Sequence, residues 1–361
     1  MKNFDFIIVG GGTSGAITSE KLIRNGYKVL IIEEGKKNNN PLLSMPAGWI
    51  PMLDGSPYLK FYKSIPQPQL NNRQHDIAQA KVLGGGSSVN GMVYMRGKPS
   101  DYNRWAEATG DERWGWNSLI NNYKALENNQ RLAGETHGTD GPIKVSDPGY
   151  VAEGSNLYIK TMQKLGLPYN RDFNDGNQYG VGLMQYTIGN GKRCDTVSAL
   201  INPLLNDKNL EIKLNTVVIK LIIENKKAIG VETISNGKYE KIYAKEIILT
   251  AGALITPKIL MHSGIGDEKI LNKVFQVDSY QNGRLQYVFS TESQLYMLDR
   301  KGRDVGKFPL QFNDKITLPI SVFDYDNNKN YRICITQGNE LFMFDSKGIF
   351  VNGFKYKKHD Q

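Results

Sequence analysis

The stretch from Phe4 to Gly35, FDFIIVGGGTSGAITSEKLIRNGYKVLIIEEG, constrains the fold of this chain more than any other. Phe6–Val9 is apolar at consecutive positions, the pattern of a strand buried on both faces. Gly10-x-Gly12-x-x-Gly15 follows at once, then a helix-like run from Ser14 to Asn25 with Gly26 as its stop signal. A second apolar run, Val29–Ile32, ends at Glu33. Strand, glycine turn, helix, strand and acid are the parts of a dinucleotide-binding βαβ unit. Gly10 permits the tight turn, Gly12 lets a pyrophosphate approach the backbone, and Gly15 lets helix and sheet pack closely. The helix N-terminus offers free N–H groups and partial positive charge to phosphates. Glu33 can accept hydrogen bonds from a ribose, whereas Glu34 reads as an ordinary acidic strand end. The unit alone does not separate FAD from NAD.

The length, 361 residues, allows about two domains of ordinary size. Hydrophobic residues at 40% suffice for a core, and 22% charged residues argue against disorder. The net charge of +9 divides into +6 before Lys273 and +3 from there on, so neither part carries the basic block that nucleic-acid binding requires. The C-terminal KYKKHD is locally basic and reads as a solvated end. Cys194 and Cys334 lie far apart and make neither a disulfide framework nor a metal site. No apolar run approaches membrane-spanning length. The first strand begins by Phe4, which leaves no room for a signal peptide, so a cytoplasmic protein is expected.

Two further segments carry long motifs. AKVLGGGSSVNGMVYMRGKPSDYNRW, Ala80–Trp105, holds a glycine triple and two serines that can lie flat against a ligand; its apolar flanks distinguish it from a linker. GALITPKILMHSGIG, Gly252–Gly266, follows a strand and a small-residue turn; Pro257 reads as early in a helix that Gly264 and Gly266 end. Together with the first unit these segments resemble the glucose–methanol–choline (GMC) oxidoreductases, flavoenzymes that oxidise alcohols. SIPQPQLNNR, HGTDGPIKV and GKRCDTVSALINPLL fit the same pattern, and the order and spacing are most similar to choline-dehydrogenase-like members. The resemblance covers residues 1 to about 272.

The resemblance implies FAD as cofactor. By it, Gly10, Gly12, Ser14 and Gly15 hold the pyrophosphate and Glu33 the adenosine ribose. Val82, Gly85, Asn90, Met92 and Val93 line the pyrophosphate and flavin, Val218 offers its backbone to the adenine, and Ala251 packs near the pyrophosphate end. Some members tether the flavin to a histidine just before the signature asparagine; Val89 stands there, which implies non-covalent FAD. The implied reaction is hydride transfer from the CH–OH group of a small-molecule alcohol to flavin N5, with an unidentified electron acceptor. A histidine near the family's C-terminus takes the hydroxyl proton. None of His75, His137, His262 and His359 has that context, so no catalytic residue is assigned. The alternative is a catalytically inactive flavin-binding remnant or interaction module. An NAD-dependent Rossmann enzyme is disfavoured by the two long signatures.

From Val274 the sequence departs from the family. QYVFSTESQLYMLDRKGRDVGKF and YRICITQGNELFMFDSKGIFVNGF resemble each other, aligning Leu295 with Leu341, Asp299 with Asp345 and Gly302 with Gly348. Each reads as strands joined through an Asp-x-x-Gly hairpin, at the period of β-propeller blades. Asp324, Asp326 and Asn328 alternate as calcium ligands can, but the stretch lacks the glycine and terminal Glu of an EF-hand loop, so a solvated hairpin turn is expected and no metal. The fold class expected is therefore α/β: a Rossmann-like FAD-binding domain over 1–272, truncated relative to the family, then an all-β tail, 273–361, of about two propeller-like blades.

Overall fold

The structure is a computed structural model that describes residues 4–266, 275–299, 302–324, 328–338 and 340–357. The chain divides into two compact units, Met1–Thr256 and Pro257–Gln361.

The first unit is built on a six-stranded sheet. Strand Phe4–Val9 pairs in parallel with Val29–Ile32 on one side, and the parallel strand Leu210–Lys213 extends that edge. On its other side lies the C-terminal half of Lys238–Leu249, also parallel, from Ala244 against Phe4 to Leu249 against Val9. The sheet is not parallel throughout, as a plain Rossmann reading expects. The other half of Lys238–Leu249 pairs antiparallel with Lys227–Ser235, which pairs antiparallel with Val217–Glu224. The two ladders meet between Tyr243 and Ala244. Tight turns at Asn225–Lys226 and Asn236–Gly237, all at positive φ, join these last strands and set the meander.

Helix Thr13–Arg24 buries Gly15, Ala16, Ser19 and Ile23. Ala16 and Ile23 pack with Ile8, Val29, Ile31 and Leu83. Val197, Leu200, Ile201 and Leu204, from the segment after Cys194, complete this core. Gly15 shows why the fingerprint needs glycine: an added Cβ would sit 2.1 Å from the carbonyl oxygen of Gly10.

A buried polar network fastens the end of the Ala80–Trp105 motif. Arg96 Nη2 donates to Glu127 Oε2 at 2.6 Å, with both side chains at most 1% exposed. His137 spans Glu127 and Asp172, with Nδ1 2.9 Å from Glu127 Oε1 and Nε2 2.9 Å from Asp172 Oδ2. Burial lowers the His137 pKa, but the two carboxylates outweigh it and hold it up at about 9.

Helix Gly252–His262 places Pro257 in its interior rather than in its first turn. The missing N–H there leaves the Ala253 carbonyl without its helical donor, at some cost in helix stability. The helix ends as expected: Gly264, at φ +76°, donates to the carbonyl of Met261, and Ile265 donates to that of Leu260, a Schellman closure.

The second unit holds two four-stranded antiparallel sheets. One runs Phe275–Val277, Gln286–Ser290, Gln294–Leu298, Leu310–Gln311; the other Ile316–Phe323, Arg332–Gln337, Glu340–Asp345, Phe350–Lys357. Val288, Leu295, Met297, Ile333 and Ile335 share one core. The repeat has local structural counterparts. The N–H of Gly302 donates to the carbonyl of Asp299, and that of Gly348 to the carbonyl of Asp345, each at 3.0 Å with φ +75° at the glycine. Asp324 accepts the backbone N–H groups of Asn328 and Lys329, the bonding of a turn; Asp326 lies outside the described residues.

Candidate cofactor site

Two glycine loops face each other at the N-terminus of helix Thr13–Arg24. The N–H of Gly84 donates to the carbonyl of Gly11 at 2.7 Å, pinning the Gly/Ser loop to the fingerprint. A Cβ on Gly85 would lie 2.7 Å from the Cα of Gly12. Gly12 is the helix N-cap and makes no side-chain capping bond, while Thr13 and Ser14 are exposed in the first turn. The opening N–H groups of the helix have no intrahelical acceptors, and the helix dipole adds partial positive charge there. The helix thus opens without a capping side chain, an arrangement suited to an anion. A Cβ on Gly12 would meet nothing closer than Gly85 Cα at 3.8 Å, so a side chain there would fill the open space over the loop rather than clash with protein.

The sheet shapes the other walls. Gly10 is at φ +101°, and its Cβ would lie 2.7 Å from Ala251 Cα, so these two predicted residues are in contact. Thr250 Oγ1 donates to the carbonyl of Gly10 at 2.8 Å. Glu33 is 8% exposed, and its carboxylate accepts the N–H groups of Gly11 and Gly35, each at 2.8 Å. Burial raises its pKa, and those two bonds oppose the rise. Its carboxylate thus braces the glycine turn, with capacity left for a further donor. The N–H of Thr216 donates to the Glu33 carbonyl, which brings Val218 to the same edge; Val218 is 7% exposed and pairs with Thr233.

The remaining predicted residues divide by exposure. The Val82 side chain is fully buried against Leu43 and Met52, and Met92 is 4% exposed, so each offers a ligand its backbone and not its side chain. Asn90 and Val93 are exposed. Val89 packs against the Val82, Leu43 and Met52 cluster. Met92 takes φ +61°, and its carbonyl accepts the N–H of Thr187.

Beneath Asn90 lies a residue not singled out from the sequence. Arg193 is 3% exposed. Its Nη1 donates to Asn90 Oδ1 at 2.7 Å and to the carbonyl of Ser87 at 3.2 Å, and its Nε donates to the carbonyl of Leu43 at 3.0 Å. Its Nη2 has no hydrogen-bond partner among the described residues. Next to it, Thr196 N donates to Ser87 Oγ, and Asp195 caps the turn by accepting the N–H groups of Val197 and Ser198. The signal was present in GKRCDTVSALINPLL, a charged residue beside a run that becomes core.

His75 precedes the strand Asp76–Ala80 of a two-stranded ribbon and is exposed, as is His262. His137 has both ring nitrogens engaged, and His359 lies outside the described residues. Among the described residues, no group of three His, Cys, Asp or Glu side chains is placed to hold a metal ion.

The GMC oxidoreductase pattern matches residues 4–280. The chain belongs to the GMC oxidoreductase family. The match runs past the expected boundary near 272. The chain is 36% identical over 269 residues to an alcohol dehydrogenase [acceptor] of Pseudomonas putida, covering 73% of this chain and 48% of that one. It is 36% identical over 270 residues to an oxygen-dependent choline dehydrogenase of Rhizobium etli, covering 74% and 49%. It thus spans about half the length of the curated relatives it matches. Among solved structures it is similar to pyridoxine 4-oxidase from Mesorbium loti, at 27% identity and a TM-score of 0.71, over 98% of this chain and 68% of that one. It is also similar to an FAD-dependent oxidoreductase from Chaetomium thermophilum, at 30% identity and a TM-score of 0.67, over 76% and 52%. No described helix is long and apolar enough to cross a membrane.

Proposed function

We propose that residues 1–272 form an FAD-binding domain and that the protein is an FAD-dependent oxidoreductase acting on the CH–OH group of a small-molecule alcohol, choline or a relative of it. The observation that carries this reading is the uncapped helix N-terminus opening between Gly12 and Gly85. Two apposed backbones without Cβ atoms and exposed first-turn residues fit a pyrophosphate, as the family membership leads one to expect. Bound FAD supplies the hydride acceptor. The helix N-terminus binds its diphosphate, Gly10 and Ala251 shape the turn below it, and Glu33 holds that turn while keeping capacity for a ribose hydroxyl. Val218 contributes backbone on the adenine side. Asn90, Met92 and Val93 form the wall beyond Gly85. The flavin is held without a covalent link, because the aliphatic Val89 has no nucleophile to offer. The tail, 273–361, is read as about two propeller-like blades, and the protein as cytoplasmic.

A second reading is favoured by the described histidines: this chain alone is a catalytically inactive flavin-binding unit, with no histidine among the described residues placed as a proton-accepting base. His75 and His262 are exposed, and both nitrogens of His137 are held by carboxylates. A positioned general base contributes about 10²–10⁴-fold, so the second reading leaves turnover slower by that factor than in an intact relative. Anaerobic addition of choline, and of simple primary alcohols, to the FAD-loaded chain separates the two. Bleaching of the flavin absorbance with alcohol supports the oxidoreductase; a flavin that dithionite reduces and no alcohol does supports the binding unit.

A further inference from the structure

We infer that Arg193 is a positioning residue that fixes which end of the Asn90 amide faces the bound cofactor, so that the site presents a hydrogen-bond donor there. The inference rests on the FAD-binding reading above. Arg193 Nη1 and the backbone N–H of Met92 both meet one terminal atom of the Asn90 amide, at 2.7 and 3.1 Å. Guanidinium and backbone N–H groups only donate, so that atom is the oxygen. Two charge-assisted or backbone donors on Oδ1 hold it against the protein, and the NH₂ is the end left over. Asn90 is exposed, so its NH₂ belongs to the open face of the loop, beside exposed Gly86, Gly91 and Val93.

Arg193 is 3% exposed and ties its own segment to Leu43 and to the loop that holds Ser87 and Asn90. A buried guanidinium is costly unless its donors are met. Here Nη1 and Nε are met by Asn90, Ser87 and Leu43, and Nη2 is enclosed without a hydrogen-bond partner among the described residues. The donor left for a ligand is Asn90 Nδ2, which suits an acceptor oxygen such as a dinucleotide carries. A neutral asparagine with its oxygen outward would present an acceptor instead, and Arg193 is what forbids that rotamer.

The test uses the full chain and reads FAD affinity by flavin fluorescence and thermal stability of the FAD-free protein. Asn90→Asp keeps one oxygen on Arg193 and Met92 but turns the outward NH₂ into an anionic acceptor. The expected result is FAD binding weakened about tenfold or more, since a hydrogen bond to a charged group is lost. The FAD-free variant should melt no lower than wild type, because the Arg193 contact becomes an ion pair. Arg193→Met should weaken FAD binding about 10- to 100-fold alone, but by a factor of about two at most in the Asn90→Leu background, as coupled residues behave. Wild-type chain that binds no FAD would overturn the proposed function itself. Wild-type chain that binds FAD, with Asn90→Asp binding it equally well, overturns only the present inference. So do Arg193→Met and Asn90→Leu effects that simply multiply. Should Arg193→Met fail to fold, the Asn90→Asp pair of measurements decides.

Discussion

Replacing Gly12 with valine separates cofactor binding from folding, because the structure treats this glycine differently from its neighbours. Gly12 has φ −75° and ψ −166°, extended backbone that any residue adopts. Its Cβ would meet only Gly85 Cα, at 3.8 Å, an ordinary contact. The stability change is therefore small. A poor N-cap costs about 0.5–1 kcal/mol relative to glycine, and the lost freedom of the unfolded chain returns about 0.4–1 kcal/mol. The side chain then occupies the space above the helix N-terminus, where an anion would sit. Denying a diphosphate one or two charge-assisted bonds costs about 1.5–3 kcal/mol each, or roughly 10- to 10⁴-fold in FAD affinity. Gly15→Ala is the contrasting control. Its Cβ would lie 2.1 Å from Gly10 O and 2.9 Å from Thr250 Oγ1, so helix and strand must separate. Overpacking of that kind costs about 1–3 kcal/mol, a fall of roughly 2–12 °C in Tm for a unit of this size. Differential scanning fluorimetry and FAD titration on both variants test the argument. Gly12→Val protein that binds FAD as tightly as wild type, or that melts as low as Gly15→Ala, refutes it.

Two further outcomes follow from the geometry. His137, with its pKa raised to about 9, contributes stability that is fully present below its ordinary 6.5 and is lost as pH rises through 9. The loss is about 1–3 kcal/mol after allowance for solvent screening. Urea midpoints should fall between pH 6 and 9.5 in wild type, and the fall should be absent in His137→Gln; an unchanged fall in the variant assigns the effect elsewhere. Acid precipitation of FAD-loaded protein should leave the yellow colour in the supernatant, whereas colour retained in the pellet would show a covalent link despite Val89.

Local chemistry was readable in the sequence where it is local in the fold. The strand Phe4–Val9, the helix from Thr13 and the strand Val29–Ile32 follow from periodicity and glycine spacing, which act within a few residues. The two Asp-x-x-Gly turns were readable for the same reason. The antiparallel half of the sheet was not, because Lys238–Leu249 changes partners partway along, and no residue in it marks the change. Pro257 looked like a helix start by propensity, yet the helix begins at Gly252, after the strand and its turn. The side chain of Val82 fills a cluster with Leu43 and Met52, packing that the glycine signature does not encode. Arg193 was hidden most thoroughly, since its partner Asn90 is 103 residues away.

Equilibrium binding of FAD to the purified chain tests the central claim most directly. Titration followed by flavin fluorescence, with FMN and NAD⁺ as competitors, should give saturation at one FAD per chain. FMN should compete weakly, lacking the diphosphate and adenosine that the proposal seats at Gly12, Glu33 and Val218. NAD⁺ has that diphosphate and adenosine, and should compete less well than FAD because it has no flavin for the wall proposed at Asn90–Val93. One FAD bound per chain, displaced only weakly by FMN and less readily by NAD⁺ than by FAD itself at equal concentration, is the predicted result. A chain that takes up no FAD, or that binds NAD⁺ more tightly than FAD, contradicts the account.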